Sequence, residues 1–412
     1  MLRRLLPTRR LTAAAAASAA GLSAALALGG SLRSEAHCRG TSNRPLGPRH
    51  RVSIVGGVLR NATWAKDPRC RDLPTLLRHL KQSGYDGTET SVGDLIMMFM
   101  NEKTPEEAIP IIREEYRRAG LELLGANYLV TDEGRRGDGT TSNTFPGQPK
   151  PGAQWGGAAS PRGRGAGWDH DFQDPDFERK LRQTVRYDKE AGAQYITFQM
   201  FLPPHHQGTG GAYRTDTEYL RLAASRIALA QSVVHGEGLN MYVETHIQRV
   251  SEDPEAFVRM MAYAEQEHGC VFECNGDLSH YLYRGFANDK GYMPMIFSRV
   301  GHMHMRMARQ HGDLSGAPPD PNHPSAAASS TGLVCDGCSA DVADPRADWD
   351  AKGVTYEAFE YGKPAWERGG LSSRTISGES LAMCDPALAG DDGVSRAIIA
   401  DVWVAFFREC QR

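Results

Sequence analysis

Residues 241–276 read MYVETHIQRVSEDPEAFVRMMAYAEQEHGCVFECNG, and this stretch decides the fold. It opens with a short run of apolar and β-branched residues and continues with apolar residues at helical spacing over 254–267. A second short apolar run closes it at 271–276. These patterns predict a strand, a helix and a second strand. Strands joined through a helix are parallel neighbours in one sheet, so the stretch predicts a βαβ unit.

The same alternation of short and long apolar patterns runs from about residue 50 to the end of the chain. The short runs lie at 52–56, 85–90, 121–128, 194–199, 241–246, 271–276, 300–305 and 354–360. Patterns at helical spacing cover 73–82, 105–118, 176–190, 219–235, 254–267 and 395–409. Eight strand and helix units close a barrel. We therefore predict an α/β fold in which residues 50–412 form a single (β/α)8 TIM barrel.

Two intervals between the predicted strands are longer than one helix needs. Residues 131–173 are rich in Gly, Arg and Pro, and residues 312–350 are rich in Pro, Ala, Asp and Ser. Such compositions predict long loops, here after strands 3 and 7. Loops that follow barrel strands lie on the active-site face, so these two are either parts of a lid or surface insertions.

Residues 1–45 are predicted to form a targeting segment. The first 34 residues contain five arginines and no acidic side chain, around a short run dominated by alanine. The run is too short for stable membrane insertion. The composition favours import into an organelle such as a mitochondrion or plastid, while the pair Arg9 and Arg10 leaves export through a twin-arginine signal as the alternative.

Composition excludes two broad classes of protein. The formal net charge of −3 lacks the basic excess of proteins that bind nucleic acid, so no nucleic-acid partner is expected. Eight cysteines in 412 residues are too sparse for a disulfide-dense scaffold. The CDGC at 335–338 has no second CxxC to complete a zinc site, which favours free thiols or a local disulfide there.

The last four predicted strands end in side chains that bind metal ions. They are Glu244 and His246, Asp277 and His280, His302 and His304, and Glu360. Because the carboxyl ends of barrel strands meet on one face, these side chains are expected to converge. A buried carboxylate is costly unless it is paired or bound to a metal. The pattern therefore predicts one divalent ion, with Mn²⁺, Mg²⁺, Co²⁺ and Zn²⁺ all compatible with carboxylate and imidazole ligands.

Four motifs give the chain a resemblance to a known family. They are VETHIQRVSEDP at 243–254, NGDLSH at 275–280, VGHMHMRM at 300–307 and YEAFEYG at 356–362. In these the chain resembles the xylose isomerase-like barrels, which include sugar-phosphate isomerases and epimerases, ketose 3-epimerases and endonuclease IV. The resemblance implies that the metal ligands are Glu244, Asp277, His304 and Glu360, with His302 as the rival of His304. It also implies that His280 and Arg306 contact the substrate.

The resemblance implies a metal-dependent isomerase or epimerase of a sugar or another small hydroxy-carbonyl compound. Such an enzyme would act through an enediolate, with Glu244 and Glu360 as the acid and base. The rivals are a metal-dependent hydrolase or lyase, similar to endonuclease IV or to a keto-inositol dehydratase, and a barrel that only binds its ligand. Barrels of this type often pair, so a homodimer is an option.

Other polar residues near the predicted strand ends are candidates for substrate contact. Asn127, Gln199 and His246 have positions that suit hydrogen bonds to sugar hydroxyls. Glu89 either adds a contact or forms a surface salt bridge. The pair His205 and His206 either contacts substrate or belongs to a solvated loop.

Overall fold

The computed structural model describes residues 50–57, 59, 68–131, 169–200, 212–246, 249–283, 291–305, 308–310, 334–336 and 371–378. The predicted targeting segment lies outside these ranges. Within them, no helix is both long enough and apolar enough to cross a membrane.

The strands of the described residues are numbered in chain order. They are β1 Arg51–Val55, β2 Gly87–Glu89, β3 Glu122–Thr131, β4 Asp169–Asp171, β5 Tyr195–Met200, β6 Asn240–Glu244, β7 Glu273–Gly276, β8 Val300–Met305, β9 Ala308–Gln310, β10 Val334–Asp336 and β11 Thr375–Gly378. Parallel pairing runs from β1 through β11, β8, β7, β6, β5 and β3 to β2, which pairs again with β1. These eight strands close a barrel, and the predicted (β/α)8 fold is confirmed.

The strand that closes the barrel differs from the predicted one. The sequence predicts the eighth strand at 354–360, which lies outside the described residues. The position between β1 and β8 belongs to β11, whose Ile376 is opposite Val52 on one side and Met303 on the other. The prediction for this strand is therefore wrong.

Two short pairings lie in or beside the predicted long loops, and one of them extends the barrel sheet. Strand β4 lies at the end of the first long loop and pairs in parallel with the carboxyl end of β3. Strands β9 and β10 form an antiparallel pair that spans part of the second loop. Most of both loops, and the predicted helix at 395–409, lie outside the described residues.

Helices cover the barrel between its strands. They are α1 Leu73–Ser83, α2 Val92–Phe99, α3 Pro105–Ala119, α4 Phe177–Ala191, α5 Thr217–Gly236, α6 Pro254–His268, α7 Leu278–Tyr283 and α8 Met293–Phe297. Five of them were predicted from helical spacing, while the short helices α2, α7 and α8 were not. Helix α7, which follows β7, carries the predicted site residue His280.

Helix α6 shows how local sequence sets these boundaries. The Asp253 side chain accepts a hydrogen bond from the Ala256 amide at 2.9 Å, and proline follows at the first helical position. The helix ends at Gly269, whose φ of 62° favours glycine. Phe257, Met260 and other residues at helical spacing are buried against the barrel.

The barrel interior contains tyrosine and histidine side chains as well as aliphatic ones. Gly125 of β3 is opposite Tyr195 of β5, and a Cβ atom at position 125 would lie 2.3 Å from the Tyr195 ring. Only glycine leaves room for this ring, which packs on His302 with centroids 4.6 Å apart. The Tyr195 hydroxyl donates to Glu89 at 3.2 Å.

Candidate active site

Glu244, at the carboxyl end of β6, is fully buried and held by two amides. Its Oε2 accepts hydrogen bonds from Gln199 Nε2 at 2.5 Å and from Asn127 Nδ2 at 3.1 Å. Its Oε1 lies 3.3 Å from Nδ1 of His304. The amides of Gln199 and Asn127, predicted to bind sugar hydroxyls, therefore orient this carboxylate, with Oε1 towards His304.

Asp277 and His304 complete a group with Glu244. Asp277 follows the last residue of β7, its backbone amide donates to Thr245 Oγ1 at 2.7 Å, and its side chain is buried. Ligand atoms of Glu244, Asp277 and His304 all lie within 4.8 Å of one another. The structure thus brings together three of the four residues predicted to bind the metal.

Glu89, at the end of β2, is a buried residue and not part of a surface salt bridge. Its two carboxylate oxygens accept hydrogen bonds from His304 Nε2 at 3.0 Å and His302 Nε2 at 2.9 Å. Thr197 Oγ1 donates at 2.6 Å and Ser377 Oγ at 2.5 Å. Burial acts to raise the pKa of the Glu89 carboxyl, but the two histidines hold that pKa well below its ordinary value. Glu89 is therefore an ionised acceptor, and both imidazoles donate to it.

These contacts separate the roles of the two histidines of β8. His304 donates from Nε2 to Glu89, so its Nδ1 faces the Glu244 and Asp277 carboxylates. Both ring nitrogens of His302 are engaged, Nε2 by Glu89 and Nδ1 by Ser373 Oγ at 3.0 Å. His304 lies in the group with Glu244 and Asp277, whereas His302, among the residues that the structure describes, groups with Glu89 and His304.

A bulge in β8 determines which face of the strand these side chains point to. Val300 is opposite Cys274, but His302 is opposite Asn275, so Gly301 is an extra residue on β8. A Cβ atom at position 301 would lie 2.5 Å from Ser372 Oγ and 2.6 Å from Glu273 Oε2. Bulges re-aim side chains beside active sites, and this one needs a glycine.

His246 and His280 form a second group with Glu244. Their rings stack with centroids 3.7 Å apart, and His280 Nε2 lies 3.5 Å from Asp277 Oδ2. Ligand atoms of Glu244, His246 and His280 also lie within 4.8 Å of one another. Both imidazoles are buried. On this side of the site their ring nitrogens could therefore form hydrogen bonds to a substrate or bind a second ion.

Arg249 places a buried positive charge near Glu244, and the sequence analysis did not select it. It is 3% exposed, and its Nε donates to Gln199 Oε1 at 3.1 Å. Burial lowers the pKa of Arg249 to about 9, against the opposing effect of Glu244 and Glu252, so it keeps its charge at neutral pH. The sequence signal for this residue was its position, because Arg249 is a basic residue five positions after Glu244 at a strand end.

Four predicted residues lie outside the part of the chain that the structure describes. They are Glu360, Arg306 and both members of the His205 and His206 pair. The eighth barrel strand ends at Gly378, so residue 360 is not the end of that strand. The residue that follows Gly378 in the sequence is Glu379.

The donor set of the first group fits a divalent metal ion. Glu244 and Asp277 are carboxylates buried close together, and His304 presents one imidazole nitrogen to Glu244. Two like charges in a buried site repel unless a cation or a proton lies between them. Oxygen and imidazole ligands at such spacing suit Mg²⁺, Mn²⁺, Co²⁺ or Zn²⁺.

Comparisons with known proteins give matches of structure alone. No protein-family description and no curated protein matches the chain. It is similar to xylose isomerase-like barrels of known structure. A xylose isomerase domain-containing protein from Salmonella typhimurium LT2 is 11% identical, with 91% of this chain and 100% of that chain covered and a TM-score of 0.46.

Two further solved structures have a comparable likeness. The probable 3-DHS dehydratase of petrobactin synthesis from Bacillus anthracis is 13% identical, with 85% of this chain and 97% of that chain covered and a TM-score of 0.46. A sugar phosphate isomerase/epimerase from Parabacteroides distasonis is 12% identical, with 90% and 95% covered and a TM-score of 0.44.

Proposed function

We propose that this protein is a divalent-metal-dependent isomerase or epimerase of a sugar or a related small hydroxy-carbonyl compound. The observation that carries the proposal is the convergence of Glu244, Asp277 and His304, with ligand atoms within 4.8 Å of one another at the carboxyl ends of three barrel strands. These three residues would hold the ion. When bound, a divalent ion would polarise a carbonyl and a neighbouring hydroxyl and so acidify the C–H bond between them.

The residues around the ion would then move one proton. Glu244 would accept it, because Gln199 and Asn127 hold its Oε2 and fix the direction of the carboxylate. Removal of the proton leaves an enediolate in the substrate. A second group, predicted from the sequence at Glu360, would donate its own carboxylic acid proton to the enediolate, and solvent would then take the proton from Glu244 and restore the one on the second group. Protonation of the neighbouring carbon gives isomerisation, and protonation of the opposite face of the same carbon gives epimerisation.

Metal content tests the proposal directly. Mass spectrometry of the purified full chain should find about one divalent ion per chain. Asp277→Asn and His304→Gln should each lower Mn²⁺ affinity at least 10-fold, because each removes one ligand. Asp176→Asn is the matched control, because Asp176 is an exposed residue at the start of α4. Metal-loaded protein should also exchange a substrate proton with solvent when sugars are screened in D2O.

The result that contradicts the proposal is a chain that binds no ion after dialysis against Mn²⁺ or Zn²⁺. The group of Glu244, His246 and His280 favours a second candidate, a hydrolase with more than one ion. Two or three ions per chain, with one lost in His246→Gln, would favour that hydrolase.

A further inference from the structure

Asn275 of β7 is the first residue of the NGDLSH motif, and it is a buried polar residue with no role in the proposed proton transfer. Its exposed fraction is 0%, and neither Oδ1 nor Nδ2 has a hydrogen-bond partner among the described residues. Most buried amides in folded proteins are hydrogen-bonded, and one that is not destabilises the fold. We therefore expect the Asn275 side chain to form its hydrogen bonds with a bound molecule.

The register of the barrel shows where the Asn275 side chain points. Asn275 is opposite Glu244 on β6 and, because of the bulge at Gly301, opposite His302 on β8. Side chains at the same level of neighbouring parallel strands lie on the same face. Glu244 and His302 both contact residues inside the barrel, so Asn275 faces the interior too. Two residues further along the chain, Asp277 lies just past the end of β7 and in one group with Glu244.

The chemistry of the carboxamide limits what can bind there. Asn275 offers an N–H donor and a C=O acceptor side by side, and a hydroxyl group can satisfy both. A phosphate or carboxylate accepts only, so it would leave Oδ1 without a donor. The Glu244 carboxylate, opposite Asn275, would also repel an anion in this buried place.

We propose that Asn275 binds hydroxyl groups of an uncharged polyhydroxy segment of the substrate, at the level of Glu244 and His302. This inference rests on the proposed function and deepens it, because it assigns the part of the substrate beside the ion to free hydroxyls and not to phosphate. Any charged group of the substrate would lie towards the mouth of the barrel.

Thermal unfolding of the metal-loaded full chain tests the inference without a known substrate. Asn275→Leu keeps the volume of the side chain and removes its polar atoms. Without sugar, the Tm of this variant should be higher than that of the wild type by about 2 to 4 °C, because an unsatisfied amide is gone. Asn127→Leu is the matched control, because the Asn127 amide donates to Glu244, and its Tm should fall.

Addition of sugar supplies the second readout. D-xylose, D-xylulose and D-fructose are the probes, each beside its terminal phosphate ester. At least one free sugar should raise the wild-type Tm, and the same concentration of that sugar should give a smaller rise in Asn275→Leu and in the smaller Asn275→Ala. The sugar concentration for half of the wild-type rise should increase at least 10-fold in both variants.

Four results would overturn the inference, and the last of them would refute the proposed function as well. A lower Tm for Asn275→Leu would mean that the amide is already satisfied. An unchanged sugar response in both variants, or a response to phosphate esters alone, would remove Asn275 from substrate binding while the metal site stands. A wild-type chain with no metal ion would instead refute the proposed function, and the inference with it.

Discussion

At the residue scale, the Glu89 carboxylate accepts hydrogen bonds from side chains of three strands. The donors are Tyr195 and Thr197 of β5, His302 and His304 of β8, and Ser377 of β11. The sequence shows that Glu89 ends a predicted strand, but it does not show which strands neighbour it in space. A buried acceptor and a surface salt bridge have the same local pattern. The role of a single residue such as Glu89 can therefore be predicted only when the order of the strands in the barrel is known.

Glu89→Gln tests whether this carboxylate positions His304. The amide cannot accept at both ends, so one imidazole loses its partner and the orientation of Nδ1 of His304 is no longer fixed. We expect Mn²⁺ affinity to fall about 10- to 100-fold and unfolding free energy to fall by about 3 kcal/mol. Chelator competition and urea unfolding measure the two effects.

The control for this change is Glu122→Gln. Glu122 pairs with Arg51 at 2.5 Å, but its side chain is 54% exposed, so its loss should cost less than about 1 kcal/mol. Wild-type Mn²⁺ affinity in Glu89→Gln would show that His304 keeps its orientation without Glu89.

At the scale of elements, seven barrel strands follow from apolar runs and the eighth does not. Residues 354–360 contain a longer aromatic and β-branched run than Thr375–Gly378, which reads TISG. The short strand is nevertheless buried because its polar side chains have partners inside the barrel: Ser377 contacts Ser53 at 2.7 Å and Glu89 at 2.5 Å. Hydrophobic periodicity cannot detect a strand whose interior side chains are hydroxyls.

A buried aspartate links three elements beside the site. Asp188 of α4 accepts hydrogen bonds from the Val92 amide of α2 at 2.6 Å and from the Tyr128 hydroxyl of β3. The pKa of Asp188 is raised to about 7, mainly by burial and to a smaller extent by Asp94, against the opposing effect of the two donors. In the unfolded chain an aspartate titrates near 3.9.

This pKa shift predicts how stability depends on pH. The folded chain holds one more proton than the unfolded chain between about pH 4 and 7, so the contribution of Asp188 is lost as pH rises through 7. Asp188→Asn removes the titration. Relative to wild type, its unfolding free energy should be greater at pH 8 than at pH 5 by about 2 to 3 kcal/mol.

Urea unfolding of both chains at the two pH values measures this difference. Asp176→Asn, on the same helix but exposed, should show no such difference, since its lowered pKa keeps it ionised above pH 5. Equal pH dependence in wild type and Asp188→Asn would show that Asp188 is already ionised in the fold.

At the scale of the whole molecule, the barrel is closed by residues from opposite ends of the described chain. Strand β11 pairs with β1 over Arg51 to Ile54 and with β8 over Met303 to Met305. The carboxyl end of β11 therefore meets the carboxyl ends of the strands that carry the site. The sequence position after this strand is therefore a candidate for a further ligand.

Closure gives the last prediction, which concerns the fourth ligand. Gly378 is opposite Met305, the residue after His304, and it is the last residue of β11. The next residue in the sequence is Glu379, and Asp277 stands in the same relation to Gly276 of β7. We therefore expect Glu379→Gln to lower Mn²⁺ affinity at least 10-fold, as a lost ligand does, and Glu360→Gln to change it less than about 2-fold. Isothermal titration of both variants beside Glu122→Gln measures the difference. A large loss of Mn²⁺ affinity in Glu360→Gln, with no loss in Glu379→Gln, would mean that the fourth ligand comes from outside the barrel strands.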